Sequence, residues 1–306
     1  MLDNKFSYPI RRMDVGKIFS KEEALSRIRN GSGMSVMLDI EKYKELDGEV
    51  AMALIRNGDG KGVLEESELF GDFELNKEVM LALSANEGFI IQVQDLEKFV
   101  GLDKEVAVRL MEKGFGHVVA KSPEKFSGLD QEIVFRLIEL GNALSLVSNI
   151  EKLEGIDHKK FILKILEQDK ILHSRSLMTL SDSIEKFTGL DKEVALALIR
   201  SGYANSILSH PEKFTGLDKE VFLLLIGYLM NNLEYEAMRF LGSILDRFTG
   251  LDSDVAFELV SKGWGSIVLE HKSAFKDLDL KEIEEFLKRK KAEDEQLSRM
   301  RLKRSQ

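Results

Sequence analysis

The sequence contains no cysteine. Disulfides, thiolate metal sites and cysteine nucleophiles are excluded together, and the composition fits a reducing compartment. Proline is scarce, at three residues (Pro9, Pro123, Pro211). That suits a helical chain, because proline in a helix interior removes a hydrogen bond and clashes with the preceding turn. No stretch approaches the roughly 18–20 apolar residues that a membrane-spanning helix needs. The opening MLDNKFSYPIRRMDVGKIFS holds no apolar run of the kind a secretory signal uses, so the expected location is cytoplasmic. GxSxG, P-loop and strand-following GxGxxG patterns are also missing. His117, His158, His173, His210 and His271 form no HExxH or related ligand spacing. The expectation is a chain that is not an enzyme and carries no metal and no cofactor.

What is present is a repeat. The segment GLDKEVALALIRSG at 189–202 has relatives whose starts fall at Leu46, Leu75, Leu102, Leu129, Ile156, Leu190, Leu217, Leu251 and Leu278, with Phe19 opening a degenerate copy. The spacings run 27, 29, 27, 27, 27, 34, 27, 34 and 27. A fixed period of this size means one supersecondary unit stacked on its neighbours. Positions within a copy are numbered here from that first residue.

Position 2 is Ser20, Asp47, Asn76, Asp103, Asp130, Asp157, Asp191, Asp218, Asp252 or Asp279. All can accept from the orphan amides of a first helical turn, so each predicts an N-cap. Glutamate at position 4 (Glu49, Glu78, Glu105, Glu132, Glu193, Glu220) adds favourable charge at the same end. Apolar positions 5, 6, 9 and 10 then make one helical stripe. Glycine at position 13 (Gly31, Gly58, Gly114, Gly141, Gly202, Gly263) predicts a helix end. Apolar positions 18 and 19 mark a second, shorter helix. Capping types at position 21 (Asp39, Asp95, Ser122, Asn149), with proline next in Ser122-Pro123 and His210-Pro211, predict a one-turn third piece. An aromatic at 25 (Tyr43, Phe99, Phe126, Phe187, Phe214, Phe248, Phe275) is expected to plug the seam between copies.

The predicted fold is all-α: a right-handed α-solenoid of about nine to ten 27-residue repeats, two extended to 34 by roughly two helical turns. Residues 1–18 are expected as a lead-in cap, 19–279 as the solenoid, and 280–306 as a charged capping helix with a basic tail. The net charge is −9. From Phe286 onward there are eight basic and three acidic residues, which leaves residues 1–285 at −14. An acidic body repels phosphate backbones.

By this grammar the helix–helix–short-turn unit resembles the repeats of the mitochondrial transcription-termination-factor family. The glycine-flanked interhelix loops Gly31-Ser32-Gly33, Gly58-Asp59-Gly60, Gly114-Phe115-Gly116 and Gly263-Trp264-Gly265 are similar in position to the base-reading loop of transcription-activator-like effectors. These resemblances imply an architecture over 19–278. Both families bind nucleic acid with basic surfaces and longer repeats, and this chain differs in charge and in repeat length.

Positions 14 and 16 vary most among otherwise similar copies. Position 14 reads Ser32, Asp59, Phe115, Asn142, Tyr203, Trp264; position 16 reads Met34, Lys61, His117, Leu144, Asn205, Ser266. A variable edge on a constant scaffold is how solenoids present a recognition surface, and Phe115, Tyr203 and Trp264 are of the types enriched in interface hot spots. The bland reading is that these residues fill gaps at helix starts. His210 and His271, at position 21, read as structural. Glu41, Glu97, Glu124, Glu151, Glu185 and Glu212, each followed by lysine, read as a solvated, salt-bridged stripe. The basic tail (Lys288, Arg289, Lys290, Lys291, Arg299, Arg301, Lys303, Arg304) suits RNA, lipid or an acidic partner, or else only helix-end charge. The expected function is a non-catalytic scaffold that binds a protein or peptide along the variable edge. The alternative is a nucleic-acid-binding solenoid that reads bases with positions 14 and 16.

Overall fold

Each first helix begins where the sequence places its cap. All ten position-2 side chains accept from amides of the first turn, from Ser20 (Glu23 N–H) to Asp279 (Lys281 and Glu282 N–H). Ser20 and Glu23 complete a capping box. The computed structural model describes residues 18–172, 175–232, 237–290 and 292. It is mostly helical and divides into two compact units at Leu129 and Asp130.

The first unit holds α1 (Lys21–Arg29), α2 (Gly33–Leu38), α3 (Gly48–Arg56), α4 (Gly60–Glu65), α5 (Lys77–Ala85), α6 (Lys104–Glu112) and α7 (Gly116–Lys121). The helix starting each copy packs on the next such helix: α1 on α3, α3 on α5, α5 on α6. Their apolar stripe is the core. Val50, Ala51, Leu54 and Ile55 are all fully buried, and sequestering a Val, Leu or Ile side chain contributes ~1.5–3 kcal/mol. Helices of nine residues are too short to persist alone in water, so this packing holds them.

The second unit holds α8 (Gln131–Glu139), α9 (Ala143–Ser148), α10 (His158–Leu172), α11 (Arg175–Asp182), α12 (Lys192–Arg200), α13 (Asn205–Ser209), α14 (Lys219–Asn232), α15 (Ala237–Ile244), α16 (Ser253–Ser261) and α17 (Gly265–Glu270), followed by a helix over 280–290. Here α8, α10, α12 and α14 pack in succession, and α9, α11, α13, α15 and α17 do the same. The two 34-residue copies put their extra length into helices, as expected: α10 has 15 residues and α14 has 14, against nine in α1, α3, α5, α6, α8, α12 and α16. Residues 1–17 and 293–306, which include most of the expected lead-in and the tail positions Arg299, Arg301, Lys303 and Arg304, lie outside the described residues, as does Lys291.

Four features depart from the sequence expectation, the last being the position-21 caps. First, short parallel pairings close the copies. β1 (Leu102–Asp103) pairs with β2 (Phe126–Ser127), and β3 (Leu190–Asp191) with β4 (Phe214–Thr215). Single bridges join Phe19 to Tyr43, Asp218 to Thr249 and Asp252 to Lys276. The start of a copy is thus hydrogen-bonded to its own end. Second, the position-25 aromatic is buried, but its ring contacts include residues of its own copy: Phe161 with Phe187 at 5.9 Å and Phe222 with Phe248 at 5.0 Å. It seals that copy. Third, the copy starting at Leu75 has no second α-helix; the chain from Asn86 to Gln92 runs without helix into a 3-10 turn over Val93–Lys98. The expected side-chain caps at position 21 do not form at Asp39, Ser122 or Asn149. Asp39 pairs with Lys42 instead.

Candidate partner-binding edge

The interhelix corner is built by two glycines with different tasks. Position 13 takes the left-handed conformation, with φ +75 at Gly31 and +88 at Gly202. The next two amides then turn back on the first helix: Gly202 N–H donates to Ile199 C=O at 3.0 Å and Tyr203 N–H to Leu198 C=O at 2.9 Å. This is a Schellman end, and position 14 sits where a hydrophobic residue commonly packs back. Position 15 is small and buried (Gly33, Gly60, Gly116, Ala143, Ala204, Gly265) because the next element passes close. A Cβ on Gly60 would collide with Leu83 Cδ2, and one on Gly265 would lie 2.6 Å from Leu287 Cδ2. Reading the loops as a glycine-flanked variable site missed this second task.

Position 16 is exposed in Met34, Lys61, His117, Leu144, Asn205 and Ser266. Position 14 is mixed: Ser32 is exposed, and Asp59, Phe115, Asn142 and Tyr203 are half-buried. Trp264 is only 4% exposed. It belongs to the core and offers no surface for a partner, which corrects its place on the edge. Phe115 meets Phe89 edge-on at 5.3 Å. Asn142 Nδ2 donates to the carbonyls of Leu137 and Leu140, which ties it to the end of α8. Of the two positions, 16 is therefore the exposed one, with Phe115 and Tyr203 half-buried beside it.

A second structure lies along the starts of the first helices. The position-2 carboxylate caps its own helix with Oδ1 and takes a lysine from the preceding copy on Oδ2. Lys192 Nζ lies 2.6 Å from both Asp218 Oδ2 and Glu220 Oε2. Lys77 reaches Asp103 and Glu105 at 2.6 and 2.5 Å, and Lys159 reaches Asp191 and Glu193 at 2.6 Å each. Lys21 does the same to Asp47 and Glu49, and Lys219 to Asp252 and Asp254. The lysine hydrogen bond holds the Asp47 and Asp252 carboxyls below their ordinary range. At Asp103, Asp191 and Asp218 burial pushes upward, but the lysine and the capping amides together leave the carboxyl low. Where position 3 is Gly48, the next cap is the neutral Asn76. Where it is Gln131, its Oε1 accepts from Asp157 N–H at 2.8 Å. The expected glutamate stripe also forms cross-copy pairs, Lys125–Glu97 at 2.6 Å and Lys186–Glu151 at 3.4 Å.

Three described histidines, His158, His210 and His271, take structural places, while His117 is exposed at position 16. His158 Nδ1 accepts from Thr188 N–H at 3.0 Å, and burial holds its pKa below the usual 6.5. His210 and His271 sit between a second helix and the turn after it. His173 lies outside the described residues. Among the described residues no group of three or more acids and histidines converges as metal ligands, and no helix is long and apolar enough to cross a membrane. Of the basic tail, Lys288, Arg289 and Lys290 are described. Lys290 Nζ donates to the carbonyls of Val260 and Ser261 at the end of α16. An open groove of about 850 Å³ in the first unit is lined by Leu81, Lys104, Glu105, Val108, Arg109 and Glu112, away from positions 14 and 16. No protein-family model, no curated protein and no solved structure matches the chain.

Proposed function

We propose that the chain is a non-catalytic, cytoplasmic α-solenoid scaffold that binds a protein or peptide along the position-16 edge. The observation that carries this reading is the contrast at one corner of each copy. Positions 13 and 15 are fixed by backbone conformation and close packing, while position 16 is exposed and differs from copy to copy. Succession of like helices within each unit supports the solenoid. The −14 charge of residues 1–285 favours protein over nucleic acid as the partner.

The test is affinity capture with the wild-type chain and a Met34→Asp, Leu144→Asp double variant, each checked for an unchanged melting temperature. Loss of the captured partners is expected. An identical partner set would overturn the edge. Salt-sensitive binding to a labelled single-stranded oligonucleotide would transfer the edge to the nucleic-acid reading.

A further inference from the structure

The copy that lacks a second helix exposes something the others do not. Its segment runs Gly88-Phe89-Ile90-Ile91-Gln92, and burial alternates along it. Phe89 is half-buried against Phe115, Ile90 is 73% exposed, Ile91 is 2% exposed, and Gln92 is exposed. A period of two is the side-chain pattern of an extended strand held by one face. Gly88 turns the chain into it at φ +73, and Gln92 at its far end is extended at φ −114, ψ 163.

Both ends are pinned. Asn86 Nδ2 donates to Ile55 C=O at 2.6 Å, and Gln92 N–H donates to Asp95 Oδ2 at 2.8 Å. Between them, the Ile90 and Ile91 amides and carbonyls have no hydrogen-bond partner among the described residues. Proteins normally guard such an edge with lysine, proline, a bulge or a covering element. Here 88–94 carries no charge and no proline.

We propose that Phe89–Gln92 is a docking edge for an extended peptide from another protein, which adds as a strand through backbone hydrogen bonds. Ile90 is position 16 of its copy, so the inference rests on the proposed edge and names what that edge takes at one point. The partner is apolar at alternate residues, to cover Ile90, and basic at the flank that meets Glu87. Glu87 is exposed at the start of the segment and the chain as a whole is acidic, while Glu97 is already paired with Lys125 and Asp95 with the Gln92 amide. A second copy of this chain would bring the same acids, so charge disfavours it.

The probe is a fluorescently labelled synthetic peptide of alternating valine and threonine with terminal lysines, titrated against the full chain. A twin N-methylated on alternate backbone nitrogens keeps the side chains and loses the strand donors. Binding of the first, at least about tenfold weaker binding of the twin, and a similar loss with Ile90→Pro are expected. Ile90→Ala, which keeps the amide, loses only a few-fold, and amide exchange at Ile90 slows on binding. Equal binding of the twin, no binding of the first peptide, or unchanged exchange would each overturn strand addition. If Ile90→Pro leaves native partners captured while Met34→Asp, Leu144→Asp releases them, the position-16 edge stands and the strand does not. If the free chain sediments as a dimer that Ile90→Lys dissolves, the occupant is a second copy and the peptide assignment falls.

Discussion

Glu45 and Asp277 are the described non-glycine residues with positive φ, at 60 and 57. Both fall at position 27, where Gly101, Gly128, Gly155, Gly189, Gly216 and Gly250 adopt φ between 65 and 72. The left-handed region costs an L-residue ~1–2 kcal/mol, and glycine gives part of that back as chain entropy. Glu45→Gly is expected to raise stability by about 0.5–1 kcal/mol in urea unfolding. Asp277→Gly is expected to gain less, since aspartate tolerates this conformation better. The glycine at position 13 was legible as a helix end because the signal is local. The glycine at position 15 was not, because its reason is a side chain such as Leu83, carried by another helix. Burial of Trp264 escaped for the same reason: position 14 is a surface corner in one copy and an interior one in another.

At the scale of elements, one carboxylate performs two jobs, and they can be separated. Asp218 caps α14 with Oδ1 and receives Lys192 on Oδ2. Asp218→Asn keeps an acceptor for the cap and loses the charge, whereas Asp218→Ala loses both. The alanine variant is expected to be the least stable, with cap loss alone worth ~0.5–2 kcal/mol. The asparagine variant would share most of its deficit with Lys192→Met, so the double variant should cost less than the sum of the two. Additive losses in a thermal-melt cycle would show that the lysine does not couple the copies. The caps were readable from single positions, and the helices from their period. The lysine was not, since its partner lies 26 residues on and nothing local asks for it. The parallel pairing of residues 102–103 with 126–127 was hidden likewise, because two-residue pairings leave no alternating pattern. The missing helix after α5 has a local cause that could be read: SANEGFIIQVQ lacks the apolar spacing of the other copies.

For the whole molecule, charge sets the response to acid. His158 has a lowered pKa through burial, so the unfolded chain binds its proton first and stability begins to fall as pH drops through 6.5. Asp47, Asp103, Asp157, Asp191, Asp218 and Asp252 are also lowered. Their contribution is complete above the ordinary carboxyl value of 3.8 and is lost as pH falls below it through each folded value. Melting temperature against pH should therefore show a shallow step near neutrality and a steep fall in acid. His158→Gln, which retains an acceptor for Thr188 N–H, should remove the shallow step alone; a step that survives would place its origin elsewhere.

Because the copy over 190–216 is fastened start to end through Leu190–Asp191 and Phe214–Thr215, its excision leaves two finished ends rather than a torn one. Removing 190–216 would join Gly189 to Leu217-Asp218-Lys219-Glu220 and offer Lys159 the carboxylates of Asp218 and Glu220 in place of Asp191 and Glu193. A deletion of that length should yield a folded, shorter protein, whereas a cut of similar size out of phase should not. Circular dichroism would tell the two apart. Lineages carrying this chain would then be free to lengthen or shorten it one period at a time.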